Sequence, residues 1–169
     1  MNKKRNIALG IDIGRVIING DSKSNNDTSF IQENNMEKIV ETSAMADCFD
    51  SIKELVKIFE HRVWLVSKAY PNTQRKTIAW LEANKFFEKT GVNRGNIVFC
   101  LERSEKAKYC KEHSLTHFID DRIDVLNYIS SETNHCFLFG KQKVDIQIPS
   151  WAQWGSNWLE ILKLVKESL

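Results

Sequence analysis

The chain has 169 residues, 42% hydrophobic and 27% charged, a composition typical of one soluble globular domain with its own core. Its 24 Lys and Arg residues nearly balance its 22 Asp and Glu residues, and a net charge of +2 disfavours nucleic acid or an anionic membrane as a partner held by bulk charge. No apolar run approaches the ~20 residues that a membrane-spanning helix needs. Asp12 and Arg15 interrupt the apolar stretch after the basic N-terminus, so no signal peptide is predicted.

Strand and helix patterns alternate along the chain. The first strand is a short apolar run with β-branched residues, typical of a buried parallel strand. Pro71 lies near the start of the longest helix, and Ser104 is the predicted N-cap of a later one. The predicted elements in chain order are a strand at 7–13, a helix at 47–59, a strand at 62–67, a helix at 71–89, a strand at 97–101, a helix at 104–113, a strand at 116–119, a helix at 122–129 and a strand at 135–139. This alternation predicts a single α/β domain over residues 1–169, with a mainly parallel sheet.

Two segments depart from the alternation. Residues 19–41 are polar, rich in Asn and Ser up to residue 35, and are interpreted as an exposed flap. Residues 150–169 carry Trp and aliphatic residues at helical spacing, which predicts a C-terminal helix. Its aromatic stripe could be a partner surface, but packing against the core is favoured because Trp is highly buried on average.

The cysteines lie at irregular spacings, without a Cys-x-x-Cys pair. This pattern favours free thiols in a reducing compartment, and together with the missing signal peptide it leads us to expect a cytoplasmic protein. Cys110, His113 and His117 lie close in sequence, but no second ligand pair accompanies them. We therefore interpret these three residues as structural rather than metal-binding.

Polar and charged side chains follow several predicted strands at their carboxyl ends, where parallel sheets gather ligands. These residues are Asp12 after the first strand, Ser67 and Lys68 after the second, Lys106 near the start of the helix at 104–113, and Asp120 and Asp121 after the strand at 116–119. Carboxylates are hard oxygen ligands for Mg²⁺, while hydroxyl and ammonium groups donate to phosphate oxygens. A single carboxylate at such a position can simply cap the next helix. As a set, the residues predict a crevice for Mg²⁺ and a phosphate.

The order of these residues resembles that of the haloacid dehalogenase superfamily, most of whose members are Mg²⁺-dependent phosphatases. The family's first motif, Asp-x-Asp-x-Thr/Val after an apolar strand, is matched by Asp-Ile-Gly-Arg-Val at 12–16 except at the second aspartate. Ser67 matches the second motif, Lys106 the third with Lys108 as runner-up, and the Asp-Asp pair at 120–121 the fourth. The resemblance covers essentially the whole chain. It implies a Rossmann-like sheet flanked by helices.

The resemblance also implies a role for each matched residue. Asp12 would attack phosphorus and carry an aspartyl-phosphate intermediate. Ser67 would donate to a phosphate oxygen, and Lys106 would hold both the phosphate and Asp12. Lys68 and Arg15 would help to bind the substrate, although an ordinary surface ion pair is at least as good an interpretation of Arg15.

The implied Mg²⁺ site consists of the Asp12 carboxylate, the Gly14 main-chain carbonyl and Asp121. Asp120 would orient water around the metal. In the family the second residue of the Asp-Asp pair is the usual ligand, which favours Asp121 over Asp120. One of the two could instead only cap the following helix.

The chain departs from the family at Gly14, where the family has the aspartate that protonates the leaving group and activates water. Losing a general acid–base typically costs ~10²–10⁴-fold in rate. Three explanations are open. The acid could come from the substrate or from the flap, at Asp27 or Glu33; the substrates could be acyl, anhydride or aryl phosphates, which need little protonation; or the pocket could bind without turnover.

Neither family position for a cap domain has room for one. Residues 19–41 are too few and too polar to build a core, and the predicted helix and strand fill the interval between Ser67 and Lys106. By analogy with capless members, an open pocket suits a large or macromolecular phosphorylated substrate, or a lid from a partner subunit, which leaves homo-oligomerisation open. We expect a capless Mg²⁺-dependent phosphatase-like hydrolase or phosphotransferase. The alternative is a catalytically weak or inactive module that binds a phosphorylated ligand or a protein.

Overall fold

The computed structural model describes residues 6–20 and 28–169. The strands are β1 (Leu9–Ile11), β2 (Val63–Lys68), β3 (Ile97–Cys100), β4 (His117–Asp120), β5 (His135–Phe139) and β6 (Ala152–Gly155). They form one sheet in the order β3-β2-β1-β4-β5-β6, with every neighbouring pair parallel. The sheet confirms the predicted α/β fold. It is Rossmann-like, and residues 6–20 and 28–169 include no large cap.

Helices flank the sheet. They are α1 (Thr28–Gln32), α2 (Met36–Glu41), α3 (Cys48–Ile58), α4 (Pro71–Ala83), α5 (Phe86–Thr90), α6 (Lys106–Glu112), α7 (Ile123–Ile129) and α8 (Trp158–Glu167). A 3₁₀ turn at Arg103–Glu105 leads into α6. Within the described residues, no helix is both long and apolar enough to cross a membrane.

Successive residues of a strand point to opposite faces of the sheet, so they are buried in two separate apolar cores. Leu9 and Ile11 of β1 belong to the core that includes Trp158 of α8. Phe118 of β4 points to the other core, with Leu126 of α7. Burial on both sides explains why the strands are nearly continuous apolar runs rather than alternating ones.

The strand order reverses at β1, which lies between β2 and β4. In open parallel sheets this reversal opens a crevice at the carboxyl ends of the two strands on either side. Asp12 directly follows β1, and Asp120 is the last residue of β4. The fold therefore brings these two carboxylates to one crevice.

The predicted C-terminal helix over 150–169 is wrong in its first part. Ala152–Gly155 pairs with β5 as an edge strand, and the helix is confined to Trp158–Glu167. Asn157 begins this helix, since its side chain accepts a hydrogen bond from the main-chain N–H of Glu160 at 3.0 Å. Trp158 is fully buried, as expected of a core residue, whereas Trp154 on the strand is exposed.

The polar segment 19–41 is also not a simple exposed flap in its described part. It contains α1 and α2, and the side chains of Phe30 and Ile39 are buried in the core. Asn35 caps α2 by accepting a hydrogen bond from the main-chain N–H of Glu37 at 2.9 Å. Residues 21–27 lie outside the described part of the chain.

Two predicted helices have different limits in the structure. The helix at 71–89 is divided into α4 and α5 at Asn84 and Lys85, where Lys85 has a φ of 54° that no helix accommodates. The helix at 104–113 begins only at Lys106, because Ser104 lies inside the 3₁₀ turn. Glu102, and not Ser104, is the capping residue of that turn.

Candidate functional site

A cavity of about 420 Å³ lies at the carboxyl ends of β1, β2 and β4. The cavity is lined by every site residue that the sequence motifs predicted. These lining residues are Asp12, Gly14, Arg15, Ser67, Lys68, Lys106, Asp120 and Asp121. Because they come from four separate segments of the chain, only the parallel sheet and its loops can account for their meeting.

Lys106, the first residue of α6, is the buried centre of the site. Its Nζ donates to Oδ1 of Asp12 and to Oδ2 of Asp120, each at 2.7 Å. Burial disfavours the ammonium charge, but the attraction of the two carboxylates outweighs it and raises the pKa of Lys106 above its usual range. Lys108 instead lies on the exposed face of the helix, 3.7 Å from Glu112.

Asp120 uses both of its carboxylate oxygens within the protein. Oδ2 accepts the hydrogen bond from Lys106, and Oδ1 accepts one from the main-chain N–H of Arg122 at 3.0 Å. Burial and the neighbouring Asp12 raise the pKa of Asp120 to about 6 although Lys106 opposes them. This contact spans two residues in the turn before α7 and is not a helix cap, since Arg122 is the N-cap residue of α7 and no described side chain caps that helix.

Asp121 pairs with Arg15 across the cavity, at 2.8 Å from Oδ2 of Asp121 to a guanidinium nitrogen. Arg15 sits in a tight turn at a φ of 59°, and its main-chain N–H donates to the carbonyl of Ile18 at 2.9 Å. This left-handed conformation costs a non-glycine residue roughly 1–2 kcal/mol. The Nε of Arg15 is also buried and has no hydrogen-bond partner among the described residues.

The carboxylates of Asp12, Asp120 and Asp121 form a group, here named the carboxylate cluster, in which one oxygen from each lies within 4.8 Å of the others. Burial, followed by repulsion from Asp120 and Asp12, raises the pKa of Asp121 to about 8 despite the nearby Arg15. Crowded, poorly solvated negative charge of this kind favours a bound cation. All three donors are hard oxygens, so the cluster fits Mg²⁺.

Gly14 lines the cavity but supplies no side chain to act as an acid. Of the two flap residues considered as replacements, Asp27 lies outside the described residues. Glu33 does not line the cavity, and its Oε1 accepts a hydrogen bond from the main-chain N–H of Asn35 at 2.8 Å. Among described lining residues, the carboxylates are those of the carboxylate cluster.

Several lining residues were missed at the sequence level. They are Tyr70, Thr73 and Thr77 around the start of α4, Arg103 and Arg122 in the loops after β3 and β4, and Ile18, Phe30 and Ile31 from the segment before α2. The prediction considered only the residues at strand ends and one lysine. Tyr70, Thr73, Arg103 and Arg122 lie two to five positions beyond a strand end, and that position is the signal that could have indicated them. The other four lie farther along the chain and carry no such signal.

Cys110, His113 and His117 are not gathered around a common point. Cys110 is buried, and burial raises the pKa of its thiol to about 12. His113 stacks on Trp64 with ring centroids 3.7 Å apart, while His117 stacks on His135 at 4.5 Å. In the described chain, the carboxylate cluster is the group found to have the geometry of a metal site.

A scan of the chain against models of known protein families gives no match, and a search of curated proteins gives none either. The resemblance to the haloacid dehalogenase superfamily therefore rests on the motifs of the chain and on the geometry of the cavity.

Proposed function

We propose that this protein is a capless phosphatase-like hydrolase of the haloacid dehalogenase type, which uses Asp12 as its nucleophile and Mg²⁺ as its cofactor. The observation that carries the proposal is the buried Lys106, whose ammonium group contacts Asp12 and Asp120 at 2.7 Å beside an open cavity. Buried ionisable groups with shifted pKa values that line a cleft are typical of functional sites, because a buried ion pair adds little to stability by itself.

In this proposal Lys106 prepares Asp12 for attack. It binds Oδ1 of Asp12, which orients the carboxylate and favours its charged form, and the second oxygen attacks phosphorus. The new bond joins that oxygen to phosphorus as the bond to the leaving oxygen breaks. Water then attacks phosphorus and the bond to Asp12 breaks. The carboxylate is restored, and phosphate departs with the two protons of the water.

Ser67 and Lys106 bind the phosphate in this scheme. Ser67 is near the end of β2 and only slightly exposed, so its hydroxyl is available to donate within a largely dry pocket. Mg²⁺, held by Asp12, Asp121 and the Gly14 carbonyl, would neutralise charge on the phosphate. Asp120 is better suited to positioning Lys106 than to direct ligation, because both its oxygens accept protein hydrogen bonds.

Gly14 restricts the leaving group. Without an acid beside the leaving oxygen, alkyl phosphates should react ~10²–10⁴-fold more slowly than with the usual aspartate, whereas aryl and acyl phosphates need little protonation. If the site is otherwise intact, Gly14→Asp should raise the rate of alkyl phosphate hydrolysis.

The test is hydrolysis of 4-nitrophenyl phosphate with and without Mg²⁺. We expect turnover that needs the metal and is abolished by Asp12→Asn, while Asp50→Asn, on the exposed first turn of α3, leaves it unchanged. Turnover that persists in Asp12→Asn would contradict the proposed nucleophile. No turnover in the wild type despite bound Mg²⁺ would contradict catalysis.

The second candidate is a module that binds a phosphorylated ligand without turnover. The observations that favour it are Gly14 and the Arg15–Asp121 pair, because Arg15 already neutralises a proposed metal ligand. Titration of the protein with inorganic phosphate distinguishes the two functions. Binding in the absence of any turnover would support the module.

We also propose a cytoplasmic location and a phosphorylated substrate that is reached through an open pocket. The four cysteines are free and buried, and burial raises the pKa of Cys100 to about 11, so the thiol stays protonated. These properties suit a reducing compartment.

A further inference from the structure

The cavity is lined by more cationic side chains than form ion pairs with carboxylates. Lys106 and Arg15 pair with the carboxylate cluster, and Arg122 pairs with an aspartate of α7 at 2.9 Å. Lys68 and Arg103 also line the cavity, without a direct ion pair to any carboxylate of the described residues.

The backbone fixes the position of Lys68. Lys68 is the last residue of β2 and lies opposite Cys100 of β3, and the next residue, Ala69, donates its main-chain N–H to the Cys100 carbonyl at 3.0 Å. The Lys68 Nζ lies 3.9 Å from the centroid of the half-exposed Tyr70 ring. An aromatic face attracts an ammonium group but does not neutralise it, so the ring positions a charge that is still available.

Arg103 is held on the neighbouring strand end. It opens the 3₁₀ turn three residues beyond Cys100. The nearby Glu105 carboxylate accepts hydrogen bonds from the main-chain N–H groups of Leu101 and Glu102, at 2.9 and 2.8 Å. The Glu102 side chain in turn accepts from the main chain of Glu105. Both glutamates thus serve the turn instead of pairing with Arg103. The positive charge of Arg103 helps to lower the pKa of Asp124, but the direct ion pair of that carboxylate is with Arg122 at 2.9 Å.

We propose that Lys68 and Arg103 form a second anion subsite, and that the substrate carries a second anionic group, a phosphate or a carboxylate, beside the phosphate at Ser67. The inference rests on the proposed function for the first phosphate. β2 and β3 are adjacent, so Ser67, Lys68 and Arg103 come from neighbouring strand ends, and all three line the same cavity. A ligand whose single anionic group binds at Ser67 would leave these two cations without an anionic partner.

The test uses 3-phosphonopropionate and its amide, 3-phosphonopropionamide. The two probes have the same length and differ by one negative charge, and their C–P bond resists phosphatase cleavage. Homologous pairs with one and two more methylene groups sample the distance between the anions. Isothermal titration calorimetry of the full chain with Mg²⁺ gives the affinity of each acid relative to its amide, a ratio that cancels effects common to both.

We expect one chain length at which the acid binds about tenfold more tightly than the amide, as charge-assisted hydrogen bonds permit. The Lys68→Gln/Arg103→Gln double variant should reduce this preference to about twofold or less. Lys108→Gln/Lys111→Gln removes the same charge from exposed positions of α6 outside the cavity and should retain the preference.

A wild-type preference that is absent at every length, or that survives in the double variant, would overturn the second subsite while leaving the first phosphate site in place. Failure of both the acid and the amide to bind the wild type would overturn the phosphate pocket of the proposed function as well. Chemical shift changes at Ser67 upon amide binding identify the first site independently.

Discussion

The two ends of strand β4 carry buried polar groups of opposite character. Asp120, at its carboxyl end, contacts a buried lysine in an open cavity beside two further carboxylates. His117, at its amino end, contacts the Thr116 hydroxyl at 2.8 Å and that of Ser168 at 3.2 Å. Among the described residues the histidine forms no ion pair, whereas the carboxylates pair with Lys106 and Arg15 beside an open cavity. Burial alone therefore does not indicate a site; buried charge that opens onto a cavity does.

The two ends should also respond oppositely to pH. Burial, with a smaller effect of His135, lowers the pKa of His117 to about 4, so the folded protein keeps this ring neutral. In the carboxylate cluster, burial and mutual repulsion raise the pKa of Asp121 to about 8. Acid should destabilise the fold through the first group, and alkali through the second when no metal is bound.

The largest effect is expected at Lys106. Lys106→Met leaves Asp12 and Asp120 as buried, uncompensated charges, so kcat/KM for 4-nitrophenyl phosphate should fall at least ~10³-fold. The free energy of unfolding at pH 8, measured in urea, should fall by about 3–5 kcal/mol. Lys108→Met is the matched control, because this exposed lysine lies outside the cavity. Equal effects of the two variants would refute the central position given to Lys106.

The second-largest effect is the stability that the fold loses when acid protonates His117. Its folded pKa of about 4 lies below the ordinary value of 6.5, so its contribution to stability is complete above pH 6.5 and is lost as the pH falls towards 4. Between pH 7 and 4.5 the wild type should lose on the order of 2 kcal/mol more than His117→Gln in urea unfolding.

His61→Asn provides the control, since His61 is exposed and its φ of 64° is one that Asn accepts. The free energy of unfolding of His61→Asn should fall as much as that of the wild type between pH 7 and 4.5. Hydrolysis of 4-nitrophenyl phosphate by His117→Gln at pH 7 should match the wild type, and a loss of activity there would connect the two ends of β4.

The third effect is the pH dependence of metal binding. The pKa values of Asp120 and Asp121 are raised to about 6 and about 8. Without metal, the stability that these two groups give to the fold is therefore greatest below their unfolded pKa near 3.9, and it is lost as the pH rises through 8. Protons and Mg²⁺ compete for the oxygens of Asp121, the proposed ligand of the pair. Mg²⁺ affinity, measured by calorimetry, should be at least about tenfold weaker at pH 5.5 than at pH 8.5. Equal affinities would place the metal elsewhere.

The smallest effect concerns Arg15, which occupies one oxygen of Asp121. Arg15→Gln removes a cation that competes with the metal, so Mg²⁺ should bind about three- to tenfold more tightly. Arg75→Gln removes an exposed arginine from α4 and should leave the affinity unchanged. Weaker Mg²⁺ binding in Arg15→Gln would instead make the arginine a support of the metal site.

Much of the fold could be predicted because its strands are short apolar runs that need no information from elsewhere in the chain. His135–Phe139 forms the predicted strand residue for residue. Strand β6 was missed because Ala152–Gly155 has no such run, with a burial pattern that is exposed at its two central residues. Its pairing depends on the open edge of β5, and the spacing of Trp151, Trp154 and Trp158 imitates a helix by chance.

The residues that form the site could be predicted from the sequence, but the contacts among them could not. Motif order identified Asp12, Lys106 and the Asp-Asp pair, which the sheet brings into one cavity. The different surroundings of Asp120 and Asp121 depend on Lys106, Arg122 and Arg15 in three dimensions. Lys68 was considered, but its neighbour Arg103 was not, because that proximity arises only from the pairing of β2 with β3.

The most direct measurement is the covalent state of Asp12 during turnover. The protein is mixed with excess 4-nitrophenyl phosphate and Mg²⁺, quenched in acid within milliseconds, and its peptides are analysed by mass spectrometry. We predict a phosphoryl group on the peptide that contains Asp12, which disappears as substrate is exhausted and never forms in Asp12→Asn. Release of nitrophenol without a phosphorylated protein, or with the phosphoryl group on another residue, would contradict the role of Asp12.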